Sequence, residues 1–184
     1  SELKAAANLK WFCCSFAGVD SYMNEDIYPN KDVMLSNSSG AYGTTISEHL
    51  IMVCLMLLRR QMEYTEIIRA GGWETLPGGI RSLHGARITV LGTGDIGTEF
   101  ARRAQAFHPA CITGVRRTVR SSDPAFTSIH AIAELDSVLP ETDILVMALP
   151  STAETVGILS RERIALLPDS AFVVNVGRGT AIDQ

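Results

Sequence analysis

Apolar residues in this chain fall into short blocks separated by polar and glycine-containing stretches, and the period inside each block predicts its element. Residues 9–15 and 32–36 read as short strands, and the Asn, Ser and Gly residues of 37–43 read as a loop. Thr44 or Thr45 then caps a long helix that is expected to run to about Arg69 and stop at Gly71-Gly72, where a positive φ is easily adopted. The first half of that helix is apolar nearly all round, which predicts burial between elements. Residues 72–85, with Pro77-Gly-Gly79, read as a surface connection. Beyond His84 the pattern alternates. Strands are expected at 87–91, 111–115, 143–149 and 171–175. Helices are expected at 96–107, near 131–138 and at 161–167, the last capped by Ser160 and followed by Pro168. Apolar strands alternating with helices predict an α/β fold whose four-stranded parallel sheet is covered on both faces.

The first of these strands carries the candidate chemistry. Arg87-Ile-Thr-Val-Leu-Gly92-Thr-Gly94-Asp-Ile-Gly97 runs from a strand into G-x-G-x-x-G and then into a helix. Gly92 permits the tight turn, Gly94 lets the backbone approach a phosphate, and Gly97 lets the helix pack on the strand. Unpaired N–H groups at the helix N-terminus then face the anion. The expected fold is a Rossmann-type doubly wound sheet that binds a dinucleotide, with Thr93, Asp95 and Ile96 completing the loop.

An acid about 20 residues past such a loop binds the ribose 2′-hydroxyl of NAD. Here that position holds Arg116, in Val115-Arg-Arg-Thr-Val-Arg120, and Asp123 comes later. Arg116, Arg117 and Thr118, with Arg120, offer a fork for a 2′-phosphate and favour NADP over NAD. Arg117 is an alternative to Arg116 at the key position. A basic loop that does not discriminate between the two cofactors is the other reading.

Composition narrows the classes without naming one. The net charge of −4 over 184 residues gives no support for nucleic-acid or membrane-surface binding. The longest apolar run, residues 50–58, falls short of the ~20 residues a spanning helix needs. Ser1-Glu-Leu-Lys carries no signal-peptide pattern, so a cytoplasmic location is expected. Cys13, Cys14, Cys54 and Cys111 form no C-x-x-C and have no histidine at ligand spacing. They are read as buried free thiols, Cys13 and Cys14 facing opposite sides of a strand, and no metal site is expected.

Five ordered segments resemble the D-isomer-specific 2-hydroxyacid dehydrogenases, a family that includes glyoxylate/hydroxypyruvate reductases and phosphoglycerate dehydrogenase. They are Ala17-Gly-Val-Asp20, Ser47-Glu-His49, the segment from Leu83 to Gly97, Leu149-Pro-Ser-Thr-Ala-Glu-Thr155 with Gly157, and Val174-Asn-Val-Gly-Arg-Gly179 with Asp183. The resemblance implies hydride transfer between a nicotinamide cofactor and a small 2-oxoacid or D-2-hydroxyacid. It makes Arg178 the residue that holds the substrate carboxylate and polarises its C2 carbonyl, a task that suits a permanently charged fork of donors. Backbone N–H groups at Ala17 and Gly18 help to hold that carboxylate. Leu149, Pro150, Thr155, Val176 and Gly177 border the cofactor. It also implies a partial flavodoxin-like substrate domain at 1–45, an interdomain helix and linker at 46–80 and the cofactor domain at 81–184. Homodimers joined through the cofactor domain are expected, with the long helix as an interface element.

In that family the general acid is a histidine, supported by a glutamate, downstream of the arginine segment. His49, His84, His108 and His130 all come earlier. His49 is expected to be structural, where the buried part of the helix begins, and His84 and His108 to lie at surface turns. The chain is therefore read as a fragment that lacks its proton donor and is inactive alone. The alternatives are an NAD-dependent enzyme like phosphoglycerate dehydrogenase and a dinucleotide-sensing co-repressor. A methyltransferase fits poorly, because it predicts an acid at the second strand end and no Gly-Arg-Gly loop.

Overall fold

A computed structural model describes residues 2–119 and 123–183. Arg120 lies outside the described residues. Contacts divide the chain into two units, 1–42 and 43–184.

In the first unit, helix α1 (Glu2–Ala5) precedes strand β1 (Trp11–Cys14), which pairs in parallel with β2 (Met34–Asn37). Parallel neighbours need a crossover. This one carries two 3-10 turns, Asp20–Tyr22 and Glu25–Ile27, and sets Tyr22 and Tyr28 at 5.0 and 6.4 Å from the Phe12 ring. Alternation along β1 buries Cys14 and exposes Cys13, so the expectation of four buried thiols fails at Cys13. Cys111 is half-buried. Cys54 is buried, and desolvation pushes its thiol up to about 12.

The second unit opens with α2 (Gly43–Leu58) and α3 (Gln61–Arg69), where one helix was expected. Between them Arg60 adopts a left-handed φ of 54°. Its guanidinium is held by the Glu63 carboxylate at 2.6 Å and by the Pro77 carbonyl, and the Arg81 N–H takes up the Leu58 carbonyl at 2.9 Å. No glycine or proline marks the break; contacts with the following connection impose it. Along α2, Gly43 and the stripe Ser47, Leu50, Cys54 and Leu58 are buried, while Met52 and Leu57 are 48% and 37% exposed. An all-round apolar sequence is thus covered on one side. His49 lies on the exposed face and is not the buried structural histidine expected.

The remaining elements are β3 (Arg87–Leu91), α4 (Asp95–Ala104), β4 (Cys111–Arg116), β5 (Ser128–Ala131), α5 (Leu135–Val138), β6 (Ile144–Met147), α6 (Arg161–Ile164) and β7 (Phe172–Asn175). All five strands are parallel, in the order β5-β4-β3-β6-β7. The unexpected fifth strand, β5, is a half-buried edge whose Ser-Ile-His-Ala sequence has no apolar run to announce it. Helix α6 begins at the Ser160 cap, as expected, but stops at Ile164.

Alternation along the strands builds two cores. Ile88, Val90, Ile144 and Val146 face α2 and α4. Leu91, Leu145 and Met147 pack with Leu135 and Leu139 on the other face. At the start of the sheet, Arg87 donates to Asp143 at 2.8 Å and to Glu141, tying β3 to β6. Connections run one way from β3 through β4 to β5 and the other way through β6 to β7. This is the doubly wound arrangement, and its switch point lies between the carboxyl ends of β3 and β6. Among the described residues, no helix is long and apolar enough to cross a membrane.

Candidate functional site

β3 stops where the chain must turn sharply into α4. The Gly92 N–H still bonds to the Val115 carbonyl at 2.9 Å, and its φ is +103°. A Cβ there would lie 2.6 Å from the Ala148 carbonyl oxygen, so only glycine fits. One turn into α4, a Cβ on Gly97 would lie 2.0 Å from the Gly92 oxygen and 2.9 Å from Val90. The helix can meet the strand this closely only at a glycine. Gly94 differs: it is the N-cap residue of α4, and nothing stands within 4 Å of where its Cβ would be. Its backbone borders open space beside the unpaired N–H groups of the first helical turn. Asp95 turns away from that space. Its carboxylate lies against Gly43 at the start of α2, within 2.5 Å of where a Cβ on Gly43 would stand.

Beside the loop, Thr93, Gly94, Arg116, Arg117 and Thr118 line a cleft of about 340 Å³. The Thr93 methyl rests over Gly114 of β4, where an added Cβ would lie 2.7 Å from it. Among the described residues its hydroxyl oxygen is buried without a hydrogen-bond partner. A buried hydroxyl in that state keeps unused hydrogen-bonding capacity. Arg116, half-buried at the end of β4, has no hydrogen bond or ion pair among the described residues. Arg117 pairs with Glu154 at 3.4 Å. Among the described residues no carboxylate lines the cleft. Asp123 instead accepts from the Ala125 N–H and lies 3.9 Å from Arg102.

Two further strand ends meet this one. The Ala148 N–H bonds to the Leu91 carbonyl, and the Val176 N–H bonds to that of Met147. A Cβ on Gly177 would lie 2.5 Å from the Leu149 oxygen, so the segments after β6 and β7 touch backbone to backbone. The loop from Pro150 closes on Thr155, whose buried hydroxyl donates to the Pro150 carbonyl at 2.6 Å and accepts from the Thr152 N–H at 2.8 Å. After β7, Asn175 clamps the turn. Its Oδ1 accepts from the Gly177 N–H at 2.9 Å, and its Nδ2 donates to the Arg178 carbonyl at 3.0 Å. Arg178 follows with an extended backbone and a half-buried side chain whose Nη1 lies 3.4 Å from the Gly177 carbonyl oxygen.

The second unit thus gathers 92–97, 116–118, Leu149, Pro150, Thr155, Val176, Gly177 and Arg178 at the carboxyl edge of one sheet. Ala17 and Gly18 belong to the first unit, where the Ala17 carbonyl accepts from Asn37 Nδ2 at 2.7 Å. Sequence reasoning missed Gly114, Glu154 and Asn175. Only Asn175 carried a signal, an asparagine two residues before a glycine in turn position. The histidines lie elsewhere. His84 and His108 are exposed, their rings 6.3 Å apart where β3 and β4 begin, and His130 lies 3.2 Å from Glu134.

The family model described as D-isomer specific 2-hydroxyacid dehydrogenase, NAD binding domain, matches residues 51–184. The chain is 31% identical over 190 residues to glyoxylate/hydroxypyruvate reductase B of Pectobacterium atrosepticum, an alignment that covers 100% of this chain and 56% of that protein. Among solved structures, a D-isomer specific 2-hydroxyacid dehydrogenase family protein from Aeromonas salmonicida superposes with a TM-score of 0.89 at 31% identity, over 99% of this chain and 57% of that one. An NADPH-dependent glyoxylate/hydroxypyruvate reductase from Sinorhizobium meliloti, in complex with NADP and sulfate, gives 0.81 at 28%, over 95% and 55%. The chain spans about half the length of the curated relatives it matches.

Proposed function

The chain belongs to the D-isomer specific 2-hydroxyacid dehydrogenase family, and on that premise we propose that it serves an enzyme interconverting a small 2-oxoacid and its D-2-hydroxyacid, with NADPH favoured over NADH. The observation that carries the cofactor preference is the cleft beside Thr93 and Gly94, lined by Arg116, Arg117 and Thr118 and, among the described residues, by no carboxylate. A dinucleotide suits this edge. The first turn of α4 offers N–H groups and a positive dipole end to a pyrophosphate. The Arg116 fork and the Thr93 hydroxyl, both without a hydrogen-bond partner among the described residues, suit a 2′-phosphate and its ribose. Between Arg116 and Arg117, the lack of a partner for Arg116 among the described residues supports it as the principal phosphate ligand.

A bound nicotinamide dinucleotide supplies the hydride. Arg178 grips the substrate carboxylate and stabilises the negative charge that develops on the carbonyl oxygen. Asn175, by fixing the turn on both sides of Val176, sets where that fork points; it is a positioning residue. Leu149, Pro150, Thr155, Val176 and Gly177 form the wall along which the cofactor lies. The proton for the oxygen is assigned to none of the four histidines, since His84 and His108 stand at the opposite edge of the sheet, His130 faces Glu134 and His49 faces solvent.

The same reading makes the protein a cytoplasmic homodimer joined through α2. Supporting it, Val53, Met56, Leu57, Met62 and Phe172 line an apolar cleft of about 460 Å³ along that helix.

Titration with NADPH and with NADH, followed by nicotinamide fluorescence, tests the cofactor reading. NADPH is expected to bind more tightly, and Arg116→Asp to reverse the order. Equal affinities in the unaltered protein would reduce the arginines to a solvated surface.

A further inference from the structure

Arg117 and Glu154 stand on opposite sides of the glycine loop. Arg117 follows β4 and Glu154 lies in the loop after β6, and these two strands flank β3, from which the glycine loop leaves. Their 3.4 Å ion pair therefore reaches from one neighbour of β3 to the other. The Glu154 side is anchored. The next residue, Thr155, is buried and bonded to Pro150 and Thr152, and the Gly157 N–H bonds to the Thr180 carbonyl at 2.8 Å. The Arg117 side is an exposed, flexible stem at the mouth of the cleft that Arg116 also lines.

We propose that Glu154 is a specificity-determining residue of this cleft: it holds Arg117 in a carboxylate pair that a 2′-phosphate must break and a 2′-hydroxyl need not. The inference rests on the cofactor reading above. A phosphate monoester carries nearly two negative charges and several acceptor oxygens, so it displaces a single carboxylate from a guanidinium. The displacement still has to work against the pair. With side chains 77% and 65% exposed, this pair is a weak one, and its removal changes an equilibrium by roughly two- to fivefold. Glu154 thereby lowers affinity for the phosphorylated cofactor and leaves the other unaffected, narrowing the gap that Arg116 opens. It acts through Arg117, so its effect depends on that side chain.

Calorimetric titration with adenosine 2′,5′-bisphosphate, and with 5′-AMP as the probe lacking the 2′-phosphate, tests this without any turnover. Glu154→Gln is expected to tighten the bisphosphate roughly two- to fivefold and leave 5′-AMP unchanged, with the gain fading at high salt. In an Arg117→Gln background the gain should vanish. Both side chains are largely exposed, so neither variant threatens folding. If the unaltered chain prefers the bisphosphate but Glu154→Gln does not tighten it, the role of Glu154 is wrong and the cofactor reading stands. An equal gain with Arg117 removed would replace competition by direct repulsion and overturn the proposal. Should neither the unaltered chain nor Glu154→Gln distinguish the two nucleotides, the cofactor reading fails, and this one with it.

Discussion

The carboxylate of Asp95, the first residue of α4, occupies the space beside Gly43 in which any side chain at the start of α2 would have to stand. The arrangement places a negative charge at the N-terminal end of α2, where the helix dipole favours it. Gly43→Ala is therefore expected to destabilise the protein, even though alanine is the better helix former. With Asp95→Ala already in place, the same substitution should stabilise by roughly 0.5–1 kcal/mol. Urea unfolding of the four proteins in this cycle measures the coupling, and identical effects in the two backgrounds would disprove the contact.

Two glycines three residues apart should fail in different ways. Gly97→Ala drives a methyl group into the Gly92 carbonyl and is expected to lose roughly 1–3 kcal/mol of stability, and binding along with it. Gly94→Ala meets nothing within 4 Å. Its melting temperature should stay close to that of the unaltered protein while NADPH affinity drops by roughly tenfold or more, about 1.4 kcal/mol, because the methyl group stands where a phosphate approaches. A Gly94→Ala protein that melts early, or one that binds normally, contradicts this division of labour.

At the opposite edge of the sheet, hydrogen bonding from Arg87 holds the Asp143 carboxyl below its ordinary value of 3.8. A carboxyl lowered in the folded state contributes stability above its unfolded pKa and loses that contribution as pH falls through the folded value. Stability should thus decline with acidification beginning near pH 4 and continuing below it. Asp143→Asn should flatten that part of the profile and lower stability at neutral pH. Denaturant midpoints across the acid range decide the matter, and an unaltered slope in the variant would assign the acid sensitivity elsewhere.

For the substrate end, oxalate is a planar dicarboxylate that mimics a 2-oxoacid. Arg178→Gln is expected to weaken oxalate binding to the NADPH-loaded chain by tenfold or more, roughly 1.4 kcal/mol, with NADPH affinity untouched. Asn175→Ala should produce a smaller loss of the same kind, since it frees the turn without removing the fork. If Asn175→Ala weakened NADPH and oxalate alike, the amide would be a general structural support, not a positioning group.

The exposed apolar side of α2 predicts a self-association that charge should break. Leu57→Glu, at a position 37% exposed, is expected to keep its helical signal and to raise the dimer dissociation constant by at least roughly tenfold. Sedimentation equilibrium reads this directly. A monomeric unaltered chain at micromolar concentration would rule the interface out.

What the sequence made legible follows from where the physical signal was local. The turn from β3 into α4 is forced by its own residues: Gly92 and Gly97 stand where a Cβ would meet backbone, and the apolar runs of β3, β4, β6 and β7 announce a buried sheet. β5 was not legible, because a half-buried edge strand needs no continuous apolar run and Ser128 and His130 break the pattern. The kink at Arg60 was hidden for a different reason. Its left-handed backbone is held by Glu63 and by Pro77 from the following connection, and no residue at the break signals it. His49 was misplaced because an apolar neighbourhood in sequence says nothing about which side of a helix is covered. At the site, Arg116 and Arg117 at the end of β4 were legible as a pair. That Arg117 is held by Glu154 depends on a partner 37 residues away in the chain.

The backbone contacts among three strand ends also set where this protein is free to evolve. Side chains can adjust to a neighbour's substitution, whereas the carbonyls that a Cβ on Gly92 or Gly177 would strike are those of Ala148 and Leu149, backbone that leaves β6 and whose Ala148 N–H is bonded to Leu91. Drift at those positions therefore has no inexpensive second-site remedy. The rim is different, since Arg117, Thr118 and Glu154 are exposed and touch none of those carbonyls. A lineage could exchange one nucleotide preference for the other there while the turn that presents Arg178 stays as it is. On the function proposed above, preference and chemistry are separable traits in this architecture, and an engineer could work on the first without reopening the second.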